Sequence, residues 1–158
     1  MKKLSGLNNL TSLLGVTILL GASQAMAESQ PIELIIHRYE MYLNGDDTHS
    51  IMKLYGKKPV FMPQHSPARV GCIAVKKAYQ SIFANIGLNN KFTIYKIETI
   101  GNTAWARTSS AGNTTILANG LKKNEGNNEL FIFKKESGEW KIHRYLFSTT
   151  TSRHANNP

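Results

Sequence analysis

The chain has 158 residues, a formal charge of +9, 41% apolar residues and one cysteine, Cys72. That length supports a single core without disulfides, and the lone thiol excludes an internal disulfide framework. Its basic residues fall in scattered pairs (Lys57-Lys58, Lys76-Lys77, Lys122-Lys123, Lys134-Lys135), with no arginine-rich stripe and no basic–aromatic interleaving, so no nucleic-acid partner is expected.

Lys2-Lys3, the apolar run Leu10 to Leu20 and the small-x-small triplet Ala25-Met26-Ala27 have the pattern of a secretory signal peptide over residues 1–27. The apolar stretch is too short to span a bilayer core of about 30 Å, so a cleaved leader is expected rather than a stable membrane anchor. The mature chain would begin at Glu28 and hold 158 − 27 = 131 residues. Export without disulfides suits a periplasmic or secreted protein, the periplasm more than a disulfide-rich extracellular space.

Ile32, Ile35, Ile36, Tyr39, Tyr42 and Leu43 follow the spacing of one helix face, predicting a helix over 30–43. Pro31 suits its first turn, and Asn44-Gly45-Asp46 ends it, with glycine available for the left-handed conformation. Asp46 or Asp47 can cap a second helix with Ile51, Leu54 and Tyr55 on its apolar face. Pro59 bars continuation, and Val60-Phe61-Met62 reads as a short strand stopped by Pro63. A polar turn over 64–70 leads to a third helix bearing Ile73, Val75, Tyr79, Ile82, Phe83 and Ile86, ended by Gly87. From Phe92 the period changes to two, predicting strands at 92–97, 103–110, 114–118, 129–135 and 140–149. Residues 119–128, rich in Gly, Asn and Lys, read as a long mobile connection, and 151–158 as a flexible tail. One domain, 28–150, is expected. Helices first and then an antiparallel sheet predict an α+β fold in which a curved sheet wraps three N-terminal helices and leaves a cavity.

The ordered residues Asp47, Leu54-Tyr55, Val60-Phe61-Met62-Pro63, Gly71, Tyr79 and Gly138-Glu139-Trp140-Lys141-Ile142 resemble the superfamily of nuclear transport factor two, ketosteroid isomerase and SnoaL-type polyketide cyclases. The resemblance covers about Ile32 to Ser148. It implies a cone-shaped, cystatin-like α+β fold with a pocket at the cone mouth, and a homodimer joined through the sheet. In ketosteroid isomerase a carboxylate moves a proton while a tyrosine and a protonated acid hold the oxyanion. By the resemblance Tyr39 matches the oxyanion tyrosine, Glu129 falls near the second oxyanion acid, and Tyr55 and Tyr79 match supporting tyrosines. His143, Tyr145 and Phe147 match pocket-facing positions. The position of the catalytic base holds Met62, whose thioether takes no proton at neutral pH.

These expectations have ordinary alternatives. Tyr39 fits an oxyanion donor or a core tyrosine on an amphipathic helix. Glu129 fits a pocket acid or an exposed strand-edge carboxylate. Alternation gives His143 the face of Tyr145 and Phe147, as a proton-transfer group or as a neutral histidine bonded in the cavity. The expected catalytic set is therefore His143, Glu129 and Tyr39, and the expected lining is Tyr55, Phe61, Met62, His65, Tyr79, Trp105, Tyr145 and Phe147. His65 would sit at the pocket mouth or be a plain loop histidine. Trp105, with Arg107, would line the cavity or form a dimer contact on the outer sheet face. Cys72 at a helix start has no histidine placed by sequence to activate it. The five histidines lack paired zinc spacing, and no phosphate loop, dinucleotide fingerprint or nucleophile elbow is present, so neither metal nor cofactor is expected. The leading expectation is a pocket for a small, mostly apolar ligand. An isomerase, cyclase or dehydratase is the alternative, and a non-catalytic dimeric interaction module the third.

Overall fold

The computed structural model describes residues 14–150, and side chains from residue 29 onward. The N-terminal half of the expected leader and the expected tail at 151–158 lie outside the described residues. Helix α1 spans Leu14–Asn44, α2 Thr48–Leu54 and α3 Cys72–Asn85; strands β1 (Tyr55–Met62) and β2 (Arg69–Val70) lie between α2 and α3. Four long strands follow: β3 (Ile86–Ile100), β4 (Thr103–Ile116), β5 (Lys122–Glu136) and β6 (Glu139–Thr149). No helix among the described residues is long and apolar enough to cross a membrane.

The helix expected over 30–43 runs further toward the N-terminus, so Pro31 lies inside α1 rather than in its first turn. There it removes one intrahelical donor. Beyond it Ile32, Ile36, Tyr39 and Leu43 form one buried stripe. The chain leaves α1 through Asp46, not Gly45, in the left-handed region at φ 54°. Asp47 then caps α2: its carboxylate accepts a hydrogen bond from the Ser50 amide at 2.9 Å. The Ser50 side chain, together with that amide, holds the Asp47 carboxyl below its usual range. Gly71 opens α3 at φ 86°, a backbone setting that side chains resist.

All six strands join one sheet in the order β2-β1-β6-β5-β4-β3. β1 runs parallel to β6, and the other neighbours are antiparallel. The helices cover the inner face, and a closed core forms around Tyr39, Phe61, Tyr79, Phe131, Phe133, Ile142 and Tyr145. Rings dominate it: Phe131 stacks on Tyr145 with centroids 4.3 Å apart, and Phe61 stacks on Tyr79 at 5.0 Å. This is the expected α+β arrangement, a curved and unclosed sheet over three helices.

The strands are longer than the sequence pattern predicts. Gly87 opens β3 instead of merely ending α3. Residues 103–116 form one strand with Gly112 inside it, and the ladder between β4 and β5 continues to Thr115 and Lys122. The expected mobile connection over 119–128 is mostly strand, and the turn itself is 117–121, with Gly120 at φ 71°. Cross-strand pairing imposes extended structure on Asn, Gly and Lys residues of poor strand propensity. Two irregularities in the ladder matter below. One falls between Ile94 and Lys96 on β3, the other opposite the step from Ile132 to Phe133 on β5.

Candidate functional site

The inner face of the sheet and the three helices enclose a cavity of about 250 Å³. Its apolar wall includes Leu43, Phe61, Ile82, Leu88, Phe92 and Phe147; its polar wall is Gln64, Asn90, Ser110, Glu125, Asn127 and Glu129. Tyr39, Tyr79 and Tyr145 close the inner end.

Strand register places Glu129. It pairs with Thr108 on β4 and Phe147 on β6, all on the face that carries Phe131 and Phe133. The carboxylate is 5% exposed and accepts hydrogen bonds from Ser110 Oγ at 2.6 Å and Thr108 Oγ1 at 3.0 Å. Burial pushes its carboxyl up to about 7, against the opposing pull of the Ser110, Thr108 and Tyr145 hydroxyls. Near neutral pH the group is present both as an acid that donates a hydrogen bond and as a base that takes a proton. This is the pocket-acid alternative for Glu129; it is not at an exposed edge.

Tyrosine hydroxyls form a chain beside it. Tyr55 and Tyr79 are hydrogen-bonded at 2.8 Å, and Tyr79 and Tyr39 at 2.8 Å. The Tyr145 ring packs against that of Tyr39 with centroids 5.2 Å apart, and its hydroxyl pulls the Glu129 carboxyl down. Burial raises all four phenols, those of Tyr39, Tyr55, Tyr79 and Tyr145, well above their ordinary value, so each stays protonated. Tyr39 is a core residue, 1% exposed, and its ring also borders the cavity.

Of the expected lining, Phe61, Tyr79, Tyr145 and Phe147 border the cavity. Tyr55 stands one layer behind, reaching it only through Tyr79. Met62 is half-buried and pairs with Leu146, and neither it nor His65 lines the cavity; Pro63 and Gln64 do. His65 is exposed, at φ 56°. Trp105 lies on the outer face, with Lys96 5.3 Å from its ring centroid, and Arg107 on the same face lies over Tyr95 at 4.7 Å. Cys72 is exposed beside the Lys57 carbonyl.

His143 requires a correction. It is the extra residue of the bulge on β6: Ile132 pairs with Arg144, and Phe133 with Ile142. One inserted residue reverses the alternation, so Ile142 joins Tyr145 and Phe147 inside. The charges that act on His143 are Arg144, Lys134 and Glu136, and it does not line the cavity. Desolvation, with Arg144 and Lys134, holds its imidazole below the usual value.

Leu43, Gln64, Asn90, Phe92, Ser110, Glu125 and Asn127 were not expected at the site. The missing signal was strand register through 86–92 and 110–128, which polar inward positions concealed. A wider groove of about 550 Å³ lies at the opposite end, between α1, α2 and the β5–β6 hairpin. Its acid Glu139 is exposed and paired with Lys141 at 2.9 Å, so no buried proton carrier faces it. No cluster of His, Cys, Asp and Glu among the described residues is arranged to hold a metal ion.

No protein-family model and no curated protein sequence matches the chain. Solved structures do. A ketosteroid isomerase-like protein from Erwinia carotovora atroseptica is 27% identical with a TM-score of 0.73, covering 77% of this chain and 95% of that one. An NTF2-like protein with a cystatin-like fold from Novosphingobium aromaticivorans is 14% identical with a TM-score of 0.67, covering 91% of this chain and 96% of its own. A candidate dehydratase of the NTF2-like family from Streptomyces avermitilis is 13% identical with a TM-score of 0.69, covering 80% and 99%. The chain has the fold of the NTF2-like superfamily, the one its sequence resembles.

Proposed function

We propose that this protein binds a small, mostly apolar molecule in the cavity between Phe92, Phe147 and Glu129. The observation that carries this reading is a buried carboxyl poised near neutral pH on the wall of an otherwise aromatic cavity. A volume of about 250 Å³ falls just below the ~300–1,000 Å³ of sites for drug-sized ligands, which points to one- or two-ring compounds. Titration of isotope-labelled protein with 2-tetralone, a two-ring ketone, tests it. Saturable shifts at Phe92, Phe147 and Glu129 are expected, and Leu88→Trp, which fills the cavity, should abolish them. Absence of binding at millimolar ketone, or shifts confined to the opposite groove, would overturn it.

Glu129 favours a second reading, an isomerase or dehydratase. Structural relatives carry those descriptions. Here Glu129 moves the proton, and the Tyr39–Tyr145 pair holds the developing oxyanion. His143, outside the cavity, has no part. Exchange of the α-protons of 2-tetralone in heavy water should be catalysed and should fall about 100-fold or more in Glu129→Gln. Equal exchange by the variant would leave binding alone.

Export and dimerisation belong to the same proposal. Cleavage after Ala27 predicts Glu28 as the first residue by intact mass; a retained leader would contradict it. The outer sheet face carries Trp105, Leu130, Ile132 and Leu146, with Tyr95 and Ile100 well exposed, and suits a homodimer burying more than about 1,000 Å². A monomer at tens of micromolar by light scattering would count against it.

A further inference from the structure

Gln64, Ser110, Glu125, Asn127 and Glu129 on the cavity wall each make a hydrogen bond. Gln64 accepts from the Thr149 amide, and Glu125 accepts from Thr114 Oγ1 at 2.8 Å. Ser110 donates to Glu129 and accepts from Asn127 Nδ2 at 3.2 Å. Asn90 is different. It is 8% exposed, and its side-chain Oδ1 is buried without a partner. Buried carbonyl oxygens without partners are rare in folded proteins, and each calls for a cause.

Its main chain is fully committed. Asn44 at the end of α1 donates from Nδ2 to the Asn90 carbonyl at 2.8 Å, and Asn44 Oδ1 accepts from the Asn90 amide at 2.8 Å. These bonds fix the Asn90 backbone in the cavity wall without involving its side chain. Opposite, on β4, stands Gly112. A Cβ there would lie 2.7 Å from Asn90 Oδ1 and 2.0 Å from the Asn89 carbonyl oxygen. The glycine makes room for the amide, and no described residue bonds its Oδ1.

We propose that Asn90 is a specificity residue: its side-chain amide receives a neutral hydroxyl on an otherwise apolar ring ligand. This rests on the cavity-binding reading and adds a polar requirement to it. Leu88, Ile86 and Phe92 flank the position, so an apolar ring that carries a single donor suits it. A hydroxyl brings one donor and no charge. Glu129, further along the same inner face, remains free to meet a second oxygen of the ligand.

The test uses two probes of matched shape, 2-naphthol and 2-methylnaphthalene, with the full chain, wild type and Asn90→Leu. The ratio of the two affinities should move toward the methyl compound by about tenfold or more in Asn90→Leu, because the variant no longer rewards the hydroxyl. An unchanged ratio, with both probes still bound, overturns the role of Asn90 and leaves the cavity reading standing. If neither probe binds the wild type, the cavity reading fails and this inference with it. A readout that needs no variant guards against a folding defect. In the wild type, the Asn90 side-chain amide resonances should shift on adding 2-naphthol and stay in place with 2-methylnaphthalene. Equal shifts with both would again overturn the assignment.

Discussion

The inner face of the sheet changes character along its own strands. Near the β3–β4 and β5–β6 turns it carries Ala104, Ala106, Phe131, Phe133 and Ile142, all at most 1% exposed. A few residues further along the same strands it carries Asn90, Ser110, Gly112, Glu125 and Asn127. The first end is packed shut by rings and aliphatic groups. The second is kept open and polar. Apolar burial of roughly 25 cal/mol per Å² stabilises the first end. The second end must satisfy its polar groups one by one, through bonds such as Asn127 to Ser110 and Ser110 to Glu129. Stability and the candidate site therefore occupy separate halves of one face.

Substitutions should separate the halves. The largest effect is expected from Phe131→Ala, which removes a ring stacked on Phe133 and Tyr145 and touching Tyr39. A loss of about 3–5 kcal/mol of stability is expected in urea denaturation. Asn127→Ala at the open end should cost no more than about 1 kcal/mol, since its neighbour Ser110 keeps its bond to Glu129. Equal losses would mean that the open end is as much core as the closed one.

Glu129 lies where the two halves meet, and its titration reports on the boundary. Its folded carboxyl lies at about 7, above the ordinary 4.5. The folded state therefore holds a proton that the unfolded state releases at lower pH. Stability should be highest below pH 4.5 as far as this group is concerned, and should fall as pH rises through about 7. The drop attributable to it is at most roughly 3 kcal/mol. Glu129→Gln should flatten that slope in denaturation curves taken between pH 4 and 8 (other carboxylates titrating below 5 act in both proteins). A slope unchanged by the substitution would place the charge in water instead of in the cavity.

Gly112→Ala probes the open half from its backbone. The new methyl would meet the Asn89 carbonyl oxygen, which belongs to the paired strand and yields only if the ladder shifts. A cost of about 1–3 kcal/mol is expected. A neutral outcome would show that the open ends of β3 and β4 are loosely paired, weakening the fixed wall that Asn90 requires.

The two halves were not equally legible in the sequence. The closed half announces itself, since Phe131 and Phe133 give strand periodicity and Ile32, Ile36, Tyr39 and Leu43 give a helix face. The open half does not. At a cavity wall the inward positions are polar, so alternation between apolar and polar disappears: the single strand 103–116 reads as two pieces, 103–110 and 114–118, and residues 119–128 read as a connection. Glu129 stayed open between pocket and edge in the sequence, and it shares the face of Phe131 and Phe133 only once the register of β5 is known. Asn90, Ser110 and Asn127 were not expected at the site. His143 was misplaced for a different reason: a bulge adds one residue and reverses the count, and nothing in the local residue types marks it. Trp105 and Arg107 were open between two faces, because tryptophan and arginine suit both.

The smallest effect distinguishes a network from a row of separate bonds. Tyr55 ends the hydroxyl chain and bonds only Tyr79, whereas Tyr79 stands in the middle between Tyr55 and Tyr39. Tyr55→Phe removes one bond and leaves Tyr79 still bonded to Tyr39, so a cost of about 0.5–1.5 kcal/mol is expected. Tyr79→Phe keeps the stacking on Phe61 but strands the Tyr55 hydroxyl in a buried site. Its cost should exceed that of Tyr55→Phe by about 1 kcal/mol or more, since an orphaned buried hydroxyl is worse than an absent one. The double variant Tyr55→Phe/Tyr79→Phe should then be less destabilised than the two single losses added together, because the second change removes the orphan that the first created. Strict additivity would show that the tyrosines act independently, as separate bonds and not as a network.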